Sequence, residues 1–298
     1  MRIFVTGASG FVGTAVVQEL LTGGHTVLGL AHSDTAAASI EAAGATAHRG
    51  SLEDLDTLRA GVAAADGVIH TAFNHDFSRF KESCEVDRRV IEALGAALAG
   101  SDRPLIITSA LGVLPKGSLV TEDSAPASGP QAHPRAATEA ASDAVAARGV
   151  RVSVVRLPPS VHGEGDHGFV PALIGIARQK ATAAYLGDGT NRWPAVHRRD
   201  AARLYRLAVE QAVPGRRYHA VAEQGIVFRD IASTIGRVLN LPVISKPPSE
   251  AAQHFGWFGS FAAMDVPASS TTTRDQLGWH PSHPGLIADL EQGHYFAT

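Results

Sequence analysis

Along the first half of the chain, short apolar runs alternate with stretches whose apolar residues recur at helical spacing. Ile3-Phe4-Val5 reads as a buried strand, and Val12, Val16, Leu20 and Leu21 then fall on one side of a helix. Thr26 to Leu30 is a second strand, set off by the helix stop Gly23-Gly24. Ala45 to Arg49 is a third strand, followed by a helix over Leu52 to Ala64 with Leu55, Leu58 and Val62 on one face. Gly67 to Thr71 and Leu105 to Thr108 are further strands, separated by a long helix over Phe80 to Ala99. An alanine-rich helix over Ala136 to Arg148 and a sixth strand over Val152 to Leu157 complete the pattern. Such alternation predicts an α/β protein with a doubly wound parallel sheet and helices on both faces.

After Pro158-Pro159 the pattern loosens, and Gly, His, Pro and aromatic residues become frequent. Arg199 to Val213 and Arg229 to Leu239 are the clearest helices there. Residues 1–160 are therefore expected to hold the sheet, and residues 161–298 a smaller C-terminal lobe partly interleaved with it. The polar stretch Gly112 to Gly129 is a candidate flap over the site.

Composition narrows the function. Of 298 residues, 45% are hydrophobic and 18% charged, which suits a globular core and excludes wholesale disorder. The net charge of −3 and the lack of a basic stripe argue against nucleic acid and anionic membrane surfaces as partners. The lone Cys84 excludes an intramolecular disulfide and suits a reducing compartment. The first apolar run stops at Thr6-Gly7, so no leader segment is expected, and no apolar stretch reaches the roughly 18 residues of a membrane span. A cytoplasmic protein with a small-molecule substrate is expected.

Chemistry enters at Thr6-Gly7-Ala8-Ser9-Gly10-Phe11-Val12-Gly13, between the first strand and the first helix. Gly7 permits a sharp turn, Gly10 lets the backbone approach a pyrophosphate, and Gly13 lets the helix pack closely on the sheet. The helix start then offers free N–H groups and a positive dipole end to phosphates, with Ser9, Phe11 and Val12 along the same stretch. This is a dinucleotide-binding turn.

In this turn the chain resembles the extended and atypical short-chain dehydrogenase/reductases, the NAD(P)-dependent epimerase/dehydratase superfamily. The resemblance also rests on Gly50-Ser51-Leu52-Glu53-Asp54, Val68-Ile69-His70-Thr71-Ala72, Arg156-Leu157-Pro158-Pro159-Ser160-Val161-His162-Gly163, Gly187-Asp188-Gly189-Thr190-Asn191 to Val196-His197, and Leu277-Gly278-Trp279-x-Pro281. It implies a Rossmann-type sheet with a substrate lobe, and adds Ser51, Leu52, Thr71, Ala72, Phe73 and Pro158 to the cofactor contacts. It also implies a substrate wall containing His162, Phe169 and Trp193, and no metal, while Asn74 or His75, just after the fourth strand at the ligand edge of a parallel sheet, is expected to face the substrate. The helices from Phe80 and Ala136 resemble the family's dimer-forming pair, so a homodimer is expected.

Relatives that prefer NAD end the second strand in an acidic residue. Here the strand ends at Ala31-His32-Ser33-Asp34. His32 and Ser33 can donate to a 2′-phosphate, which favours NADP(H) over NAD(H). The alternative is that Asp34 turns inward to the ribose.

The chain departs from the family's catalytic pattern. Tyr-x-x-x-Lys occurs nowhere in it, and the segment expected to carry that motif runs from Gln131 to Glu139. Asp87 stands where an Asn is usual, Ser109 lies near the Ser/Thr position, and His133 falls near the absent Tyr. These three are the candidate catalytic residues. The resemblance thus implies an NADPH-dependent reductase of a carbonyl or imine compound with a non-standard proton donor. A non-catalytic NADP-binding sensor or scaffold, and a nucleotide-sugar epimerase or dehydratase, are the alternatives.

Overall fold

Strand β1 (Arg2–Thr6) lies inside a seven-stranded sheet, and the glycine-rich turn after it leads into α1 (Phe11–Thr22). The chain continues through β2 (Thr26–Ala31), α2 (Asp34–Ala42), β3 (Thr46–Arg49), α3 (Leu55–Ala63), β4 (Gly67–His70) and α4 (Phe80–Leu98). Then come β5 (Pro104–Ala110), α5 (Ala136–Ala146), β6 (Arg151–Leu157), β7 (Ser160–His162), α6 (Phe169–Lys180), β8 (Ala183–Leu186) and β9 (Arg192–His197). The last part holds α7 (Arg198–Gln211), β10 (Arg217–His219), β11 (Glu223–Val227), α8 (Phe228–Leu239) and β12 (Val243–Lys246). Short helices α9 (Ala251–Phe255), α10 (Gly259–Ala262), α11 (Thr271–Leu277) and α12 (Leu286–Glu291) close it. The computed structural model describes residues 1–129 and 132–296, so Gln131 of the segment discussed above lies outside the described residues.

The large sheet has the order β10-β6-β5-β4-β1-β2-β3, and each of its pairings is parallel. Successive side chains of β1 point to opposite faces. Ile3 and Val5 join a core with Val16 and Leu20 of α1, Ile40 of α2 and Leu204 and Tyr205 of α7. Phe4 joins the opposite core with Leu58 and Val62 of α3, Ile91 and Leu94 of α4 and Val145 of α5. The result is the doubly wound Rossmann-type arrangement expected from the alternation. The strand order reverses between β4 and β1, which opens a crevice at their C-terminal ends.

The lobe is not one stretch of chain. β7, β9 and β11 form a small sheet and β8 pairs with β12, over a core of Trp193, Phe228, Phe258 and Leu286. Between β9 and β11, however, α7 packs on the large sheet and β10 adds its edge strand.

Three local differences from the sequence reading have physical causes. Helix α2 goes unpredicted because its alanines give little apolar contrast, yet Ser33 caps it by accepting the Ala36 N–H at 3.1 Å. Helix α3 starts later than Leu52 because Asp54 caps it, accepting the Asp56 and Thr57 N–H groups at 3.1 Å each. The expected flap is anchored. Leu111, Leu114 and Val120 are buried against Val221, Val266 and Ala268, and Glu122 accepts the Thr273 N–H at 2.7 Å. A short polar part, Pro115 to Leu119, stands exposed.

Candidate functional site

The glycine turn is held by its own backbone. Gly7 has φ +71°, and a Cβ there would stand 2.7 Å from Ala72 N and 2.8 Å from Thr71 Oγ1. A Cβ on Gly13 would fall 1.8 Å from Gly7 O. Neither site can hold a larger residue without moving β4 or α1. Gly10 differs, because its Cβ would meet only Gly7 O, at 3.3 Å. Space lies open above it, and α1 begins there with no side-chain cap on its first turn. An open approach over an uncapped helix start fits a dinucleotide pyrophosphate. The lobe clasps the same turn: the Arg198 guanidinium lies 4.4 Å from the Phe11 ring centre and donates to Thr14 Oγ1 at 2.6 Å.

At the far side of the crevice, beyond β2, His32 is exposed and Ser33 spends its oxygen on the α2 cap. Asp34 points outward and accepts from Arg49 Nη1 at 2.7 Å, so the inward-turned Asp34 is not what the structure places there. Arg49, at the end of β3 and paired in register with Ala31, is a cation that sequence reading missed. Ser51 Oγ accepts the Glu53 N–H at 3.3 Å, and Leu52 lies half-buried beside it.

On the β4–β5 side, buried polar groups form a chain. Thr6 Oγ1 donates to His70 Nδ1 at 2.7 Å, His70 Nε2–H donates to Asp87 Oδ1 at 3.0 Å, and Thr138 Oγ1 donates to Asp87 Oδ2 at 2.5 Å. Burial alone raises the Asp87 pKa. The hydrogen bond from His70 and the nearby Arg135 charge outweigh it and hold the carboxyl below its ordinary range. Asp87 is thus a buried strut between β4, α4 and α5. It is 2% exposed and holds its neighbours His70 and Thr138, so its place among the catalytic candidates is corrected to that of a residue that orders other side chains.

Ser109 needs the same correction. Its Oγ donates to Glu139 Oε1 at 3.0 Å, and it is 1% exposed. Glu139 is also gripped by Arg156, through Nε and Nη2 at 2.7 Å each, and by Arg217 at 3.0 Å. Pro158, buried just past β6, lies at the same sheet edge.

Around the C-terminal ends of β4 and β5 lie Thr71, Ala72, Phe73, His75, His133 and Arg135. Thr71 Oγ1 donates to Thr6 O at 2.8 Å, tying the β4 end to β1. The Arg135 guanidinium lies 3.5 Å over the Phe73 ring. His75 meets Phe73 edge-on at 5.1 Å, and His133 meets Phe80 edge-on at 5.5 Å. His133 Nδ1 accepts the Arg135 N–H at 3.3 Å, leaving Nε2 as its free atom. Burial, then the charges of Lys116 and Arg135, hold the His133 pKa below the ordinary imidazole range. Desolvation among the rings, then Arg135, does the same for His75, although its edge is exposed. Asn74 is exposed and caps the local turn, accepting the Asp76 N–H at 3.0 Å.

The outer wall is aromatic. Phe77 stacks on Phe80 at 5.7 Å and on Trp257 at 5.1 Å, and Phe261 meets Phe77 at 5.5 Å and Phe169 at 4.4 Å. Phe169 is part of this aromatic cluster. Trp193 is fully buried behind it in the lobe core, and His162 is fully buried with Nδ1 2.8 Å from Asp289. Neither lines the crevice. Packing took both, and the residues beside them in sequence carry no sign of it. Among the described residues, no tyrosine hydroxyl serves the crevice. Tyr205 is enclosed and bonded to Thr108 at 2.7 Å, Tyr295 donates to Asp166 at 3.0 Å, Tyr218 is fully buried, and Tyr185 packs in β8. Among the described residues, no group of His, Cys, Asp or Glu is arranged to hold a metal ion, and no helix is long and apolar enough to cross a membrane.

A parallel sheet with a glycine turn at its switch point defines a dinucleotide-binding protein of the Rossmann type. More narrowly, the chain belongs to the NAD dependent epimerase/dehydratase family, whose profile matches residues 3–221. It is 53% identical to an uncharacterised protein of Schizosaccharomyces pombe over 99% of this chain and 100% of the relative. It is 28% identical to a 2-alkyl-3-oxoalkanoate reductase of Stenotrophomonas maltophilia, over 83% of this chain and 78% of that one. Among solved structures, it superposes on the dTDP-glucose 4,6-dehydratase DesIV of Streptomyces venezuelae, bound to NAD and TYD, with a TM-score of 0.76. That match has 21% identity and covers 99% of this chain and 98% of the other.

Proposed function

We propose that this protein is an NADPH-dependent reductase of an apolar carbonyl or imine compound. One observation carries the reading. A dinucleotide turn with an open, uncapped helix start shares its crevice with an aromatic wall and a buried cation, and no tyrosine hydroxyl of the described residues stands there. A reduced nicotinamide bound in the crevice supplies the hydride. Phe73 and Thr71 border its place, while Gly7, Gly10 and Gly13 hold the pyrophosphate end. Arg49, His32 and Ser33 offer donors to a 2′-phosphate, which supports NADP over NAD. The reductase name of the Stenotrophomonas relative supports the same chemistry.

The aromatic wall suits an apolar substrate body, and it excludes water from the reacting end. His133 Nε2 is the protein group placed to pass a proton. Its depressed pKa leaves it neutral near pH 7, so carbonyl reduction is expected to rise as pH falls below about 6.5. An imine substrate that is already protonated needs no such acid, and its rate is expected to change less. The epimerase or dehydratase alternative needs a base that takes the proton of a sugar hydroxyl while the carbon gives its hydride to the oxidised cofactor, and among the described residues no tyrosine hydroxyl stands there to serve as one. A homodimer through the outer faces of α4 and α5, and a cytoplasmic location, belong to the same reading.

The test is a spectrophotometric screen of NADPH and NADH oxidation against paired ketones and cyclic imines, with a parallel cofactor titration. Turnover with NADPH supports the reading. Tight cofactor binding without turnover across the panel turns it toward a sensor or scaffold.

A further inference from the structure

Two arginines are buried at the C-terminal edge of the large sheet, and the fold treats them differently. Arg156 is fully buried and neutralised by Glu139 through two hydrogen bonds of 2.7 Å. Arg135, 8% exposed, has no such partner. Its Nη2 donates to the Thr108 carbonyl at 3.3 Å, its plane rests on Phe73, and its Nη1 is buried without a hydrogen bond to any of the described residues. Among the described residues, no carboxylate forms an ion pair with it. Asp87, whose charge reaches it, already has one oxygen on His70 and the other on Thr138. A buried guanidinium is retained at high cost unless something anionic meets it. The donor sits over the ends of β4 and β5, on the half of the crevice away from β2 and β3.

We propose that Arg135 is an oxyanion receptor for the substrate. Nη1–H donates to a negatively charged oxygen, either a carboxylate or a carbonyl oxygen on which charge builds, while the apolar body lies against Phe77, Phe80 and Trp257. The guanidinium stays charged throughout and is not the proton donor. The inference rests on the proposed function for where the substrate lies. It concerns a binding contact, so it can be tested without turnover.

The probes are benzoate and benzamide, matched in size and ring but differing in charge, titrated by calorimetry into the full chain with and without NADP. Benzoate is expected to bind at least about tenfold more tightly than benzamide, as a charge-assisted hydrogen bond requires. Arg135→Gln should remove that preference, and Arg135→Lys should keep part of it. The lysine variant retains the charge, so it also guards against a glutamine variant that fails to fold. Equal binding of the two probes to the wild-type chain overturns the proposal. So does an Arg135→Gln chain that loses NADP binding but keeps the benzoate preference, because the cation then serves the dinucleotide. Turnover separates the two oxygen sources. Preference for phenylglyoxylate over benzaldehyde, lost in Arg135→Gln, assigns a substrate carboxylate. Slower benzaldehyde reduction at unchanged KM assigns the carbonyl oxygen. Absence of all turnover with the benzoate preference intact sinks the reductase reading and leaves the receptor standing.

Discussion

The two halves of the crevice are built from different materials. The pyrophosphate half is backbone: three glycines, an uncapped helix start, and contacts of Gly7 with Thr71 and Ala72. The substrate half is side chains from distant parts of the chain: Phe73 and Phe77 after β4, His133 and Arg135 before α5, and Trp257 and Phe261 from the lobe. Backbone geometry tolerates almost no substitution and leaves a local signature in the sequence. A wall of side chains needs only shape and charge in the right place, and many sequences can supply them. A chain can therefore keep the first half, rebuild the second, and change its chemistry.

The largest effect that sharpens this contrast is expected at Gly13 and Gly10. Gly13→Ala places a Cβ 1.8 Å from Gly7 O, so α1 must shift, and both the melting temperature and cofactor binding should collapse. Gly10→Ala meets only one atom at 3.3 Å, so the fold should survive while NADPH affinity falls by about tenfold or more. Equal melting losses for the two would break the distinction between a packing glycine and a ligand-approach glycine.

Next comes Asp87→Ala. It strands His70 and Thr138 in a buried site and should destabilise the chain by about 3 kcal/mol, read from urea unfolding. If stability held while turnover alone fell, Asp87 would be acting on substrate and not as a strut.

Acid should loosen the lobe. Burial, then the charges of His162 and His283, lower the His197 pKa to about 4. The unfolded imidazole, near 6.5, binds its proton first. Stability from His197 is therefore full above about pH 6.5 and is lost progressively as pH falls toward about 4. His219 acts in the same direction, because burial disfavours its charged form and Arg156 Nη1 donates to its Nε2 at 3.2 Å. Melting temperature should hold above about pH 6.5 and drop steadily from there to about pH 4.5. A flat profile would mean that folding lowers the pKa of neither imidazole.

Trp257 is 56% exposed, so Trp257→Ala should leave melting nearly unchanged. As part of the substrate wall it should raise KM for apolar substrates several-fold, by about 1 kcal/mol of lost contact. An unchanged KM would remove it from the wall. The smallest effect is expected from Arg49→Ala, since its pair with Asp34 is exposed. NADPH affinity should fall by about threefold to tenfold with NADH affinity unaltered, a difference that paired titrations resolve. Equal losses for both cofactors would break its link to the 2′-phosphate.

The same contrast explains which features were legible. Strand–helix alternation and the glycine turn were readable because each depends on residues near one another in sequence, and that alternation implies the parallel sheet. Ser109 stands where a Ser/Thr is expected but turns to Glu139, and Asp87 turns to His70 and Thr138, because whether a helix or strand residue faces a crevice or a neighbouring helix depends on packing. His162 and Trp193 were lost to the lobe core for the same reason. Arg135 is not legible from its segment, because its lack of a carboxylate partner among the described residues is set by groups distant in sequence. Its only local signal was a lone charge in an otherwise alanine-rich helix start. The backbone scaffold follows from the residue pattern alone, since periodicity and glycine sterics act over a few residues. The pairing of charges does not, because it joins groups that only the folded chain brings together. Arg156 meets Glu139 across 17 residues, while Arg135 meets no carboxylate of the described residues, and burial turns that difference into a site.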